Sequence, residues 1–130
     1  MSSHGALVVI GSGPGIGRTT AAQFASQGFK HIYLLSRDKS RLAEDAKAVS
    51  NVSSSTKVDV LQIDLGADES AVRNVLKEVD SKIGAAGVQL EVVLYNAARV
   101  GPSLILQSEA QQLTDDLKVR VDELFLQRYC

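Results

Sequence analysis

At 130 residues the chain is long enough for one domain with a real core, and 45% hydrophobic with 22% charged residues is the balance of a globular protein. A net charge of −1 excludes the basic field that draws nucleic acid or an anionic membrane. One cysteine, Cys130, excludes an internal disulfide and suits a reducing compartment, the cytoplasm.

The first residues lack the basic stretch of a signal peptide, and no apolar run reaches the length of a membrane span. His4 falls in this short tail. The apolar run Ala6-Leu7-Val8-Val9-Ile10 predicts a strand, and it flows directly into Gly11-Ser12-Gly13-Pro14-Gly15-Ile16-Gly17. A helix follows, with Ala21, Phe24 and Ala25 on its apolar face, ending near Gln27 with Gly28 as its cap. His31-Ile32-Tyr33-Leu34-Leu35 is the second strand, closed by Ser36-Arg37-Asp38; a nearly continuous apolar run suits a parallel strand covered on both faces. Leu42, Ala46 and Val49 recur at helical spacing, and Asn51 to Thr56 reads as a polar, serine-rich loop.

Val58 to Ile63 is the third strand, ending at Asp64. Asp68 is placed to cap the next helix, whose stripe is Val72, Val75, Leu76, Val79 and Ile83 and whose end is marked by Gly84 and Gly87. Leu90 to Tyr95 is the fourth strand, leading to Asn96-Ala97-Ala98. Ser108 and Gln111 have the spacing of a capping box, and Leu113, Leu117, Val121, Leu124 and Phe125 give the last helix one apolar face.

Strands alternating with helices predict an α/β fold with a doubly wound parallel sheet, in the order 3-2-1-4. Ligands in such sheets sit at the carboxyl ends of the strands, where Gly11, Arg37, Asp64 and Asn96 all fall. Strand, glycine turn and helix in succession form an anion site: glycine has no Cβ to block a ligand, and the first amides of the helix face it with a favourable dipole. A dinucleotide's pyrophosphate is the expected anion. An acidic residue about 20 positions on grips the ribose of NAD, whereas an arginine accommodates the 2′-phosphate of NADP. Ser36 is small and uncharged, and Arg37 follows it, which favours NADP over NAD. Asp38, the competing acid, is placed to cap the next helix. Arg18 either adds positive charge to the site or faces solvent.

The spacing of Gly11, Gly15 and Gly17 resembles the short-chain dehydrogenase/reductase family, whose fingerprint is T-G-x-x-x-G-x-G; Ile10 stands at the Thr position. The resemblance implies that Asp64, followed by Leu65, contacts the adenine ring; a loop acid capping its own turn is the alternative. Asn96-Ala97-Ala98 resembles the family's N-N-A-G, which puts Asn96 and Ala97 near the cofactor ribose and at a tie across the sheet centre. The expected cofactor site is therefore Gly11, Ser12, Gly13, Gly15, Ile16, Gly17, Ser36, Arg37, Asp64, Leu65, Asn96 and Ala97. In the last helix, Arg120 stands where the family carries an Asn of its catalytic network, and Glu123 where a Gly is common.

The family's catalytic Ser and Tyr-x-x-x-Lys pair are expected beyond the segments matched here. Tyr33 and Tyr95 are followed four places on by Arg37 and Arg99, and Tyr129 by nothing. Residues 1–130 thus read as a single nucleotide-binding domain, incomplete relative to the family: the NADP-binding part of an oxidoreductase, or a dinucleotide-binding or interaction module without chemistry. No catalytic residue and no metal site are expected. An open sheet edge at the fourth strand, or the last helix, is the expected surface for a homodimer.

Overall fold

The computed structural model describes residues 4–97 and 110–117. The chain runs β1 (His4–Ile10), α1 (Ile16–Ser26), β2 (Phe29–Ser36), α2 (Lys39–Val52), β3 (Lys57–Gln62), α3 (Glu69–Ala86), β4 (Leu90–Tyr95) and α4 (Ala110–Leu117). The four strands form one parallel sheet in the order β3-β2-β1-β4, as the alternation predicts.

The period-2 alternation of β1 builds two cores at once. Ala6, Val8 and Ile10 pack with Tyr33 and Leu35 of β2 against Val72, Val79 and Ile83 of α3. Leu7 and Val9 pack with Ile32 and Leu34 on the other face, against Ala21 and Ala25 of α1 and Leu42 and Val49 of α2. That double burial explains the apolar runs of β1 and β2. The chain builds β2 and β3 outward from β1, then returns to add β4 on β1's other side. The reversal opens a crevice at the carboxyl ends of β1 and β4.

Helix ends follow their local signals. Asp38 caps α2, accepting from the Ser40 and Arg41 amides at 2.9 and 3.3 Å, and Asp68 caps α3 by accepting from the Ala71 amide at 2.9 Å. Gly87 ends α3 in the left-handed region, at φ 67°. Gly84 is no terminus; α3 passes through it, and its carbonyl accepts the Gly87 amide at 3.1 Å. The helix α2 takes in Asn51 and Val52, so the serine-rich loop is shorter than its composition implies. Thr56 tethers that loop by donating its hydroxyl to the Phe29 carbonyl at 2.8 Å.

His4 is not in a tail. It begins β1, stacks on Phe29 at 4.9 Å between ring centroids, and pairs through Nδ1 with Glu91 at 3.1 Å. The expected cap at Ser108, the side chains of Leu113, Leu117, Val121, Leu124 and Phe125, and Ala98, Arg99, Arg120, Glu123 and Tyr129 lie outside the described residues. Among the described residues no helix is long and apolar enough to cross a membrane, and no cluster of side chains has the makings of a metal site.

Candidate functional site

The carboxyl ends of β1, β2, β3 and β4 enclose a cleft of about 540 Å³. Gly11, Ser12 and Gly13 line it from the turn after β1, Ser36 and Arg37 from the end of β2, Asp64 and Leu65 from beyond β3, and Asn96 and Ala97 from beyond β4. Gly15, Ile16 and Gly17 stand at the start of α1, beside the cleft wall rather than on it.

The glycine turn is shaped by contacts that only glycine allows at two positions. Gly11 has φ +94°, and a Cβ there would lie 2.5 Å from the Ala97 nitrogen. At Gly17 a Cβ would lie 2.9 Å from the Gly11 carbonyl oxygen, so this glycine lets α1 close onto the turn. Gly13 and Gly15 face open space, where a ligand can approach the backbone. The N-cap of α1 is Gly15, with no side-chain hydrogen bond and no acid in the first turn. The helix dipole and its leading amides therefore lack an internal carboxylate to answer them.

The tie across the sheet centre forms without a threonine at position 10. Asn96 donates its amide to the Ile10 carbonyl at 2.8 Å and its Nδ2 to the Gly11 carbonyl at 3.4 Å. Backbone carbonyls supply the acceptors, so the apolar Ile10 stays buried in the core.

The cations differ sharply in their surroundings. Arg37 is exposed, and among the described residues its guanidinium has no carboxylate partner. Its backbone is fixed by Gln62, whose Nε2 donates to the Arg37 carbonyl at 2.9 Å. Arg41, one helical turn on, also lines the cleft and sits 3.7 Å from Asp38. The Asp38 carboxyl is held below the usual carboxylate range, first by the Ser40 hydroxyl and then by the Arg41 amide. A depressed carboxyl stabilises the fold above its unfolded pKa, and that contribution is lost only as pH falls through the folded value. At neutral pH Asp38 thus remains an ionised cap. Asp64 accepts the Gly66 amide at 2.9 Å through Oδ1, closing its own turn while lining the cleft.

Arg18 resolves differently from either expectation. Its Nε donates to Asp45 at 2.5 Å, and the Asp45 carboxylate is fully buried. Asp45, Arg41 and the cleft-lining Asp38, Ile63, Gly66 and Asp115 were not on the sequence-derived site. Arg41 carries a legible signal, a second arginine four places after the first. Asp45 and Asp115 carry none, because only packing brings them there.

Tyr33 lies in the core, and burial, with the nearby Asp59 charge, pushes its phenol up from the ordinary value. Proton transfer to a carbonyl requires the opposite shift.

The family model for short chain dehydrogenase matches residues 6–125. The very-long-chain 3-oxoacyl-CoA reductase of Kluyveromyces lactis is 31% identical over 116 residues, covering 86% of this chain and 31% of that protein. The L-sorbose reductase of Gluconobacter frateurii, solved with NADPH and L-sorbose, is similar at a TM-score of 0.80 and 24% identity, over 95% of this chain and 44% of that one. An NAD+-bound xylitol dehydrogenase gives a TM-score of 0.80 at 21% identity, over 95% and 45% of the two chains. A short-chain type dehydrogenase/reductase from Mycobacterium marinum gives 0.81 at 20% identity, over 98% and 48%. The chain therefore spans under a third of the K. lactis reductase and just under half of each of these structures. The family match runs through every strand, the glycine turn and the cleft walls, and this chain belongs to the short-chain dehydrogenase family of oxidoreductases.

Proposed function

We propose that these 130 residues form a single dinucleotide-binding domain that takes NADP(H) in preference to NAD(H). It is the nucleotide-holding part of an oxidoreductase acting between alcohol and carbonyl. The observation that carries the choice of cofactor is Arg37, exposed on the cleft wall without a carboxylate partner among the described residues. A guanidinium presents a fork that matches phosphate oxygens. Arg41 adds a second cation, and Asp38, the acid that would favour NAD, is occupied as the cap of α2.

The residues fit the group. The open backbone at Gly13 and Gly15 and the uncapped start of α1 receive the diphosphate. Ser36 and Arg37 receive the 2′-phosphate, Asp64 and Leu65 border the adenine, and Asn96 and Ala97 border the ribose nearer the nicotinamide. Bound NADPH supplies a hydride to a carbonyl, and NADP+ accepts one from an alcohol. The relatives named above include one solved with NADPH and one with NAD+. The preference here rests on this chain's own arginines.

The test is titration of both reduced nucleotides, followed by nicotinamide fluorescence. NADPH is expected to bind more tightly than NADH, and equal affinities refute the preference. A thermal melt supplies a second reading. A ligand that binds only the folded state at 100 times its Kd adds about 2.7 kcal/mol of stability, so NADP at that level is expected to raise the melting temperature.

A binding module without chemistry is the second reading, favoured by the state of the tyrosines. Tyr33 is a buried phenol with a raised pKa, and Tyr95 is half-buried at the end of β4. A polypeptide of these 130 residues is expected to bind nucleotide without consuming it. Nicotinamide absorbance against a panel of alcohols and ketones checks this, and a turnover abolished by Gly13→Val would overturn it.

For the protein partner we propose a second copy. Among the described residues β4 is an edge strand, with Leu90 42% and Val93 48% exposed. Such an edge invites pairing. Light scattering over a concentration series is expected to show dimers, with Val93→Lys shifting the chain toward monomer. A concentration-independent monomer refutes the pairing. The single cysteine and near-neutral charge support the cytoplasm as its compartment.

A further inference from the structure

An ionised carboxylate with no exposure to water must be answered by donors at hydrogen-bond distance. Asp45, on the inner face of α2, is 0% exposed. Both of its oxygens are answered, one by a donor in the glycine turn and one by a donor in the first turn of α1. The Ser12 hydroxyl donates to Oδ2 at 2.7 Å, and the Arg18 Nε donates to Oδ1 at 2.5 Å. Ser12 is the second residue of the turn, and Arg18 is the first after its last glycine. One carboxylate from a neighbouring helix therefore grips the turn at both ends.

The backbone completes the clamp. The Gly11 and Ser12 amides both donate to the Leu35 carbonyl, at 2.8 and 3.0 Å, and the Arg18 amide donates to the Gly13 carbonyl at 2.9 Å. Between the clamped points lie Gly13 and Gly15, where a Cβ would meet nothing. The Arg18 guanidinium is drawn to Asp45, with Glu44 3.9 Å from its Nη2. A cation so engaged adds little to the field in the cleft.

We propose that Asp45 is a positioning residue of the nucleotide site. Through Ser12 and Arg18 it holds the glycine turn in its phosphate-receiving shape, and it keeps Arg18 off the diphosphate, which the backbone amides then receive. The proposal rests on the dinucleotide reading given above. Its signature differs from that of Arg37. Arg37 acts on the 2′-phosphate alone, whereas Asp45 acts on the part of the site that NADPH and NADH share. Adenosine 2′-monophosphate separates the two, because it carries the 2′-phosphate and lacks the diphosphate bridge.

The experiment uses the 130-residue chain with Asp45→Asn and Ser12→Ala. Both variants are titrated with NADPH, NADH and adenosine 2′-monophosphate well below their melting temperatures. Losing a hydrogen bond to a charged group is worth roughly tenfold or more in a binding constant. Asp45→Asn and Ser12→Ala are each expected to weaken NADPH and NADH by a common factor of about ten or more. The affinity for adenosine 2′-monophosphate stays unchanged in both. If Asp45→Asn does not fold, Ser12→Ala, which removes one hydroxyl, decides alone. A parallel loss for all three nucleotides, or unchanged affinities with only a lowered melting temperature, shows a purely structural aspartate and overturns the proposal. Wild-type chain that binds neither NADPH nor adenosine 2′-monophosphate overturns the nucleotide site itself, and this proposal with it.

Discussion

Gly11→Ala is expected to destabilise the chain by about 2–4 kcal/mol, with a fall in melting temperature of roughly 10 °C. Two costs act together. At φ +94° an alanine occupies a region closed to most L-residues. Its Cβ would also meet backbone on the far side, 2.5 Å from the Ala97 nitrogen and 2.7 Å from its Cα. Neither neighbour is a flexible side-chain tip. The Asn96 bonds to Ile10 and Gly11 hold β4 against β1 at that point. Relief therefore requires the end of β4 to move and those bonds to stretch. The contrast is Gly13→Ala, where a Cβ meets nothing within 4 Å and the melting temperature should barely change. Circular dichroism melts of the two variants measure the difference. Equal small losses in the two variants would refute the expected penalty at Gly11.

Arg37→Ala is expected to raise the dissociation constant for NADPH by roughly 10- to 150-fold, equivalent to about 1.5–3 kcal/mol for one lost charge-assisted contact. NADH should be unaffected, because it has no 2′-phosphate. The folded chain should also be unaffected, since Arg37 is exposed and breaks no ion pair among the described residues when it is removed. Arg37→Lys keeps the charge and loses the planar fork, so it should fall between wild type and alanine. Arg41→Ala should cost less, because Arg41 already shares its charge with Asp38 at 3.7 Å. The NADPH effect should shrink as salt rises, as an exposed charge contact must. An Arg37→Ala variant that weakens NADPH and NADH together would place the arginine elsewhere than on the 2′-phosphate.

The order of the elements, the parallel sheet and the edge on which the cleft lies are legible in the residues alone. These features follow from local information. Apolar runs and i, i+3, i+4 stripes report burial over a few residues, and right-handed crossovers then leave one strand order. Gly11, Arg37, Asp64 and Asn96 are legible because each lies just past the end of a strand, and parallel strands bring their ends to a common edge. The pairing of polar and charged side chains comes from how the elements pack. Asp45 sits among polar and small residues on α2, yet it is buried and accepts from Ser12 of the glycine turn. Arg18 is 27 positions away from it, beyond the reach of any helical period. His4 finds Glu91 across 87 positions because β4 returns beside β1. Such pairs depend on which elements meet. No periodicity within a helix or strand records that, since a polar side chain follows its partner rather than its neighbours in the chain.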